Sequence, residues 1–253
     1  MTEKKNIMHP VLMTLNTHLP TVLGTELVGI YAYGSLVWGD FDPDISDIDT
    51  LVVLANDVHE SVFAQLDAFH QTLEGAFPDW AGRIEIAYIS VPALQTFKTQ
   101  RSPISVISPG EPFNTKDAGL DWLINWYTIR AQSVVVYGPR VDTIIPNISQ
   151  EEFRTAVRDQ IGDWVDWVVH TRDSRPYQAY AILTMCRALY AIETGLQTSK
   201  IQAAAWATVQ HPMQAERISK ALCWRVQHRE YVENPEATYP DAVAMVEYAA
   251  RAG

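Results

Sequence analysis

The residues best suited to chemistry lie in one stretch, Tyr33-Gly34-Ser35 followed after a spacer by Ser46-Asp47-Ile48-Asp49. Side chains two apart on a strand share a face, so Asp47 and Asp49 point one way while Ile48 points into the core. Two carboxylates held that close repel each other unless a cation joins them. A hard divalent ion such as Mg2+, which also takes triphosphate oxygens, resolves the conflict. Gly34 lets the backbone approach a phosphate, and Ser35 adds a hydroxyl donor there. A solvated acidic turn accounts for Asp40, Asp42 and Asp44. It does not account for two aspartates astride an isoleucine directly ahead of Thr50-Leu-Val-Val.

A third carboxylate on a neighbouring strand is expected to complete such a site. In residues 83–90 (RIEIAYIS) Ile84, Ile86 and Tyr88 alternate with Glu85, which sets Glu85 on the face away from them. Alone it reads as an ordinary strand glutamate. Beside the paired aspartates its best role is general base, taking a proton from a hydroxyl that attacks phosphorus. Metal ligation is its second possible role.

These residues need a sheet to hold them, and the first 145 residues supply one. Strands are expected at 26–33, 48–54, 83–90 and 134–137, the last stopped by Gly138-Pro139. Helices are expected at 58–75, 91–100 (capped by Ser90) and 117–132, with 102–114 a loop rich in Ser, Pro and Gly. Residues 141–150 read as a linker with Ser149 a helix cap. From there Phe153, Val157, Ile161, Trp164 and Val168 keep helical spacing, as do 177–194, 200–210, 212–232 and 240–251. Pro176 and Pro240 suit helix starts and Gly195 a helix end. The fold class is therefore α+β: a mixed sheet with flanking helices over 1–145, then an all-α helical bundle over 146–253.

Bulk properties narrow the function classes. A net charge of -11 disfavours a polyanionic partner, so no nucleic acid is expected; it suits a polycationic small molecule. No run of apolar residues is long enough for a membrane span. His9, Pro10 and Asn16 interrupt any apolar segment behind Lys4-Lys5, unlike a signal peptide, and Cys186 and Cys223 suit a reducing compartment. A cytoplasmic location is expected. Neither cysteine has metal-ligand spacing, and the oligomeric state is not legible.

The pattern Gly34-Ser35 … Ser46-Asp47-Ile48-Asp49 resembles the DNA polymerase β-like nucleotidyltransferase superfamily. It is more closely similar to the aminoglycoside 3''/9 adenylyltransferases, which inactivate streptomycin or spectinomycin. The resemblance continues through Asp121-Trp-Leu-Ile … Tyr137-Gly138-Pro139, through Thr184-Met-Cys-Arg187 … Lys200, and at Arg229-Glu-Tyr231. It implies AMP transfer from ATP to a hydroxyl of a small acceptor, Mg2+ on Asp47 and Asp49 with Glu85 as base and further ligand, and an antibiotic-resistance role. It further implies that Ser35, Ser46, Asp121, Arg187, Lys200 and Tyr231 bind ATP.

Some residues speak for themselves. Lys200 follows Ser199, a helix cap, and so sits at the positive end of a helix dipole, a place that a bound phosphate makes sensible. Arg187 lies among apolar residues and needs an anionic partner, either a structural carboxylate or ATP. Asp159, Asp163 and Asp166 share a helical face with Trp167 close by, and could receive ammonium or guanidinium groups and stack on a ring. A solvated acidic face explains them equally well. Asp173 matches an acceptor-binding aspartate of the streptomycin-modifying members, but no tryptophan falls in register unless Trp167 serves after a gap. Tyr180 stands where a nucleotide-contacting asparagine is expected. Streptomycin modification therefore does not follow, and the acceptor is left open among another aminocyclitol, another drug and an unrelated metabolite. Alternatives are a nucleotidyltransferase with a protein or RNA acceptor, and a non-catalytic nucleotide binder of the same fold.

Overall fold

The computed structural model describes residues 9–226 and 234–253. The chain divides into two compact units, Met1–Asn147 and Ile148–Gly253, against an expected boundary after residue 145.

The first unit runs α1 (Pro10–Leu23), β1 (Leu27–Tyr33), α2 (Ser35–Trp38), β2 (Ile48–Leu54), α3 (Glu60–Ala76), β3 (Ile84–Ser90), α4 (Val91–Thr96), β4 (Ser102–Ser108), β5 (Glu111–Ala118), α5 (Leu123–Ala131) and β6 (Val134–Tyr137). The strands form one six-stranded sheet ordered β5-β4-β3-β2-β1-β6. Only β2 and β3 pair parallel, because α3 carries the chain back across the sheet between them. Ile30, Ala32, Ile48, Val52, Ile84, Ile86 and Tyr88 belong to one core cluster with Val11, Leu12, Leu15 and Leu19 of α1 and Leu66 and Leu73 of α3. Leu51 and Val53, which point the other way, are also buried, so β2 is apolar on both faces beyond its first residues.

Three expectations need correction. Residues 102–114 are not a loop: β4 and β5 form an antiparallel hairpin turning at Gly110, whose φ is 80°. The pattern was there in Ser102, Ile104 and Val106, which are buried, alternating with exposed Pro103. Turn-forming residues masked it; Pro103 is tolerated because it lies outside the stretch of β4 that pairs with β3, Ser105 to Ile107. The helix expected at 117–132 starts only at Leu123, after β5 and a short 3-10 turn (Leu120–Trp122). Helix α1 was not anticipated, although His9 caps it and Val11, Leu12, Leu15 and Leu19 line its buried face.

The second unit is helical: α6 (Gln150–Trp167), α7 (Arg175–Thr194), α8 (Lys200–Gln210), α9 (Ala215–Val226) and α10 (Pro235–Ala252). Its centre is α7, apolar nearly all round and packed against the other four. Ser149 and Glu152 form a reciprocal capping box at the start of α6, and Gly195 ends α7 in the left-handed region. Buried Gln178 ties the unit together: its amide nitrogen donates to the carbonyls of Thr171, Arg172 and Pro235. Helix α10 begins earlier than expected, so Pro240 lies within it rather than at its start.

Candidate active site

Three strand ends build the site. Tyr33 closes β1, Ile48 opens β2 and Ile84 opens β3. In the sheet register Tyr33 lies opposite Asp49, and Asp49 lies beside Glu85. Directly paired residues project to the same face, so Tyr33, Asp49 and Glu85 form a row across three strands. Asp47 sits two residues ahead of Asp49, just before the strand. The three carboxylates are half-buried, whereas Tyr33 is buried.

The electrostatics follow from that row. Burial pushes the Tyr33 hydroxyl well above its ordinary range, and the charges of Glu85 and then Asp49 push it further. The phenol therefore stays neutral, and adds no third negative charge beside the pair.

Gly34 also has a structural role beside the one its type suggested. Its backbone has φ 71° and ψ -149°, a region that side chains disfavour. A Cβ there would also overlap the Asp49 carboxylate. Glycine thus makes room for the acid. Ser35 follows as the first residue of α2. Ser46 is buried, and its hydroxyl accepts the amide N–H of Asp42 at 3.0 Å, closing the loop that leads to Asp47.

Among the described residues, no three His, Cys, Asp or Glu side chains converge tightly enough to form a ready metal cage. The register supplies the adjacent pair Asp49 and Glu85, with Asp47 on the approach. The donor set is all hard oxygen, which fits a divalent ion such as Mg2+ better than a soft metal.

Asp121 is engaged elsewhere within its unit. It pairs with Arg101 at 3.0 Å and accepts the Gly119 amide N–H at 2.9 Å. Half-buried Arg187 lies on α7, and Lys200 is the first residue of α8, behind the Ser199 cap. The Lys200 ammonium lies 4.4 Å from the centre of the Tyr180 ring, a cation–π contact. Tyr180 also leans on Trp164, which meets Trp167 edge to face at 4.8 Å. Asp163 and Asp166 are exposed on α6 and Asp173 is exposed in the turn before α7. Tyr231 lies outside the described residues.

Two site residues escaped sequence reasoning. Tyr33 was visible beside Gly34 but carried no sign of its place in the row. Arg83 precedes Ile84 as a single arginine, and nothing in its neighbourhood announced its contacts.

Comparisons with known proteins match each unit separately. A nucleotidyltransferase-domain model matches residues 21–97. The model of the aminoglycoside adenylyltransferase C-terminal domain matches residues 143–252. The second unit is thus similar to the aminoglycoside adenylyltransferases, and the first to nucleotidyltransferase domains. The first match contains Asp47, Asp49 and Glu85, and the second contains Arg187 and Lys200. Spectinomycin 9-adenylyltransferases of Staphylococcus aureus, including strains Mu50 and N315, are 24% identical over 197 residues, covering 74% of this chain and 72% of theirs. A crystal structure of spectinomycin adenyltransferase from Enterococcus faecialis with ATP and spectinomycin shares the fold. Its TM-score is 0.71 at 21% identity, over 94% of this chain and 98% of that one.

Proposed function

We propose that this protein is an adenylyltransferase that moves AMP from ATP to a hydroxyl of an aminocyclitol or aminoglycoside, with a spectinomycin-like aminocyclitol the leading acceptor, releasing pyrophosphate. The observation that carries the reading is the row Tyr33, Asp49 and Glu85, in a chain whose relatives bear the name spectinomycin 9-adenylyltransferase. The acceptor oxygen forms a bond to the α-phosphorus, the bond from that phosphorus to the β-phosphate bridge breaks, and pyrophosphate leaves with the electron pair. Glu85 takes the proton of the attacking hydroxyl. Asp47 and Asp49 would hold Mg2+, which would supply charge neutralisation on the triphosphate. Glu85 would share that ligand set as well as act as base.

Ser35 and Ser46 stand at the two ends of the spacer that faces the triphosphate in this reading. Arg187, Lys200, Asp121 and Tyr231 are further proposed nucleotide contacts. For Lys200 the support is its position at a helix start, where an anion relieves an otherwise unfavourable cation. Asp163, Asp166, Trp167 and Asp173 are proposed acceptor contacts: exposed carboxylates for ammonium groups and a half-open indole for a ring. The acidic balance favours a small cationic acceptor over RNA. Among the described residues no helix is long and apolar enough to cross a membrane, and a cytoplasmic location is part of the proposal.

The test incubates the purified protein with ATP, Mg2+ and a panel of aminocyclitols and aminoglycosides. Pyrophosphate release is measured alongside the mass of each acceptor. Spectinomycin gaining the mass of one AMP, with pyrophosphate released in equal amount, supports the proposal. ATP consumption with no modified acceptor on the panel overturns the acceptor class.

A further inference from the structure

We infer that Arg83 is a positioning residue that fixes Asp47 for cation binding. This rests on the proposed reading that Asp47 and Asp49 hold a divalent ion. Arg83 makes no contact with that ion in the inference; it acts through backbone.

Its guanidinium donates to three carbonyls. One nitrogen reaches Pro43 O at 2.7 Å and Ser46 O at 3.3 Å, and the other reaches Asp79 O at 2.8 Å. Ser46 immediately precedes Asp47, so the Asp47 backbone is held at its N-terminal side. Its C-terminal side is held by the sheet: the Ile48 amide N–H donates to the Arg83 carbonyl at 2.9 Å. One residue therefore brackets Asp47 with both its side chain and its main chain. The loop it grips is already closed on itself, since Ser46 N–H donates to Asp42 O at 2.8 Å and Asp44 N–H to the Asp42 carboxylate at 2.9 Å.

An aromatic stack aims the guanidinium. Its central carbon lies 4.4 Å from the centre of the Trp80 ring. Trp80 stacks on Phe41 at 5.6 Å with the planes 23° apart, and His9 meets Trp80 edge-on at 4.8 Å. Phe41 belongs to the same loop, so the stack and the carbonyl bonds hold it at two points. Such a clamp fixes the backbone on which Asp47 is carried. Groups that hydrogen-bond a metal ligand directly typically change metal affinity by about 10–100-fold when removed, and Arg83, which grips the residue beside the ligand, is expected at the low end of that range. A guanidinium is suited to this work because its fork serves several acceptors at fixed angles, while an ammonium does not reproduce that geometry.

The experiment titrates Mn2+ into the full-length protein in the presence of a non-hydrolysable ATP analogue, reading free Mn2+ by electron paramagnetic resonance. Arg83→Met keeps the apolar stem on Trp80 and deletes the three bonds; Arg83→Lys restores part of them. The inference predicts Mn2+ binding weakened about tenfold or more in Arg83→Met, an intermediate value in Arg83→Lys, and an unchanged KM for ATP at saturating Mg2+. Wild-type Mn2+ affinity in a cooperatively melting Arg83→Met overturns it. If Arg83→Met does not melt cooperatively, Arg83→Lys is decisive by itself, and wild-type affinity there overturns the inference. Failure of the parent reading looks different: the wild-type protein itself then takes up no Mn2+ and the inference falls with it.

Discussion

Replacing Gly34 with alanine separates backbone strain from carboxylate placement. The residue adopts φ 71° and ψ -149°, where alanine costs about 1–3 kcal/mol. For a chain of this size each kcal/mol lowers Tm by about 2–4 °C, so a fall of roughly 2–12 °C is expected. The added Cβ also overlaps the Asp49 carboxylate. That group is the end of a side chain and can turn aside, so the overlap adds little to the stability loss while moving the acid. A displacement near 1 Å in a reacting site costs about 100-fold in rate. Gly24→Ala provides the control: its φ is 53° and ψ -127°, and a Cβ there meets nothing within 4 Å. Thermal melts and pyrophosphate release with spectinomycin at saturating Mg2+ would be measured for both variants. Both are expected to melt lower, but only Gly34→Ala is expected to lose about 100-fold in kcat/KM. Near wild-type turnover in Gly34→Ala, with the same loss of Tm as Gly24→Ala, refutes the claim that Asp49 must stay where it is.

Glu85→Gln is expected to lower kcat by about 10²–10⁴-fold while calorimetry still detects ATP binding; unchanged kcat removes Glu85 as the base. His70 is buried between α3 and β3, bonded to the Tyr88 hydroxyl at 2.8 Å and edge-on to Phe113, and burial lowers its pKa to about 4. The fold keeps it neutral, so its contribution is full above the unfolded value near 6.5 and is lost as pH falls towards 4. The loss is about 3 kcal/mol, to be read as a steeper fall of Tm between pH 6.5 and 4 in wild type than in His70→Gln. Ser149→Ala removes the hydroxyl that accepts the Glu152 N–H at 3.2 Å at the start of α6, leaving the Ser149 N–H bond to the Glu152 carboxylate in place, and is expected to cost about 1 kcal/mol in denaturant unfolding; no change means the cap is not stabilising.

The chemistry was more legible in the sequence than the scaffold around it. Strand periodicity set Asp49 on the face opposite Ile48 and Glu85 on the face opposite Ile84 and Ile86, whereas Asp47, read as part of the same strand, lies just before it. The register that sets Asp49 beside Glu85 was not readable, because strand pairing is a long-range choice made by the whole core. The β4–β5 hairpin was hidden by Pro103, Pro109 and Gly110, which read as loop until Ile104 and Val106 are seen buried. Caps were read well: Ser90, Ser149 and Ser199 each accept a backbone N–H two or three residues into their helices, as local chemistry dictates. Arg83 was invisible for the opposite reason. Its partners are carbonyls at Pro43, Ser46 and Asp79, and carbonyls carry no sequence signature.

The central claim is that Asp47 and Asp49 share one divalent cation at the edge of the β2–β3 pair. A crystal grown with Mn2+ and a non-hydrolysable ATP analogue, measured at the manganese absorption edge, locates that ion directly. The account predicts an anomalous peak in direct coordination with a carboxylate oxygen of each aspartate, at about 2.2 Å. A peak bound to neither aspartate, beside nucleotide present in the crystal, would contradict it.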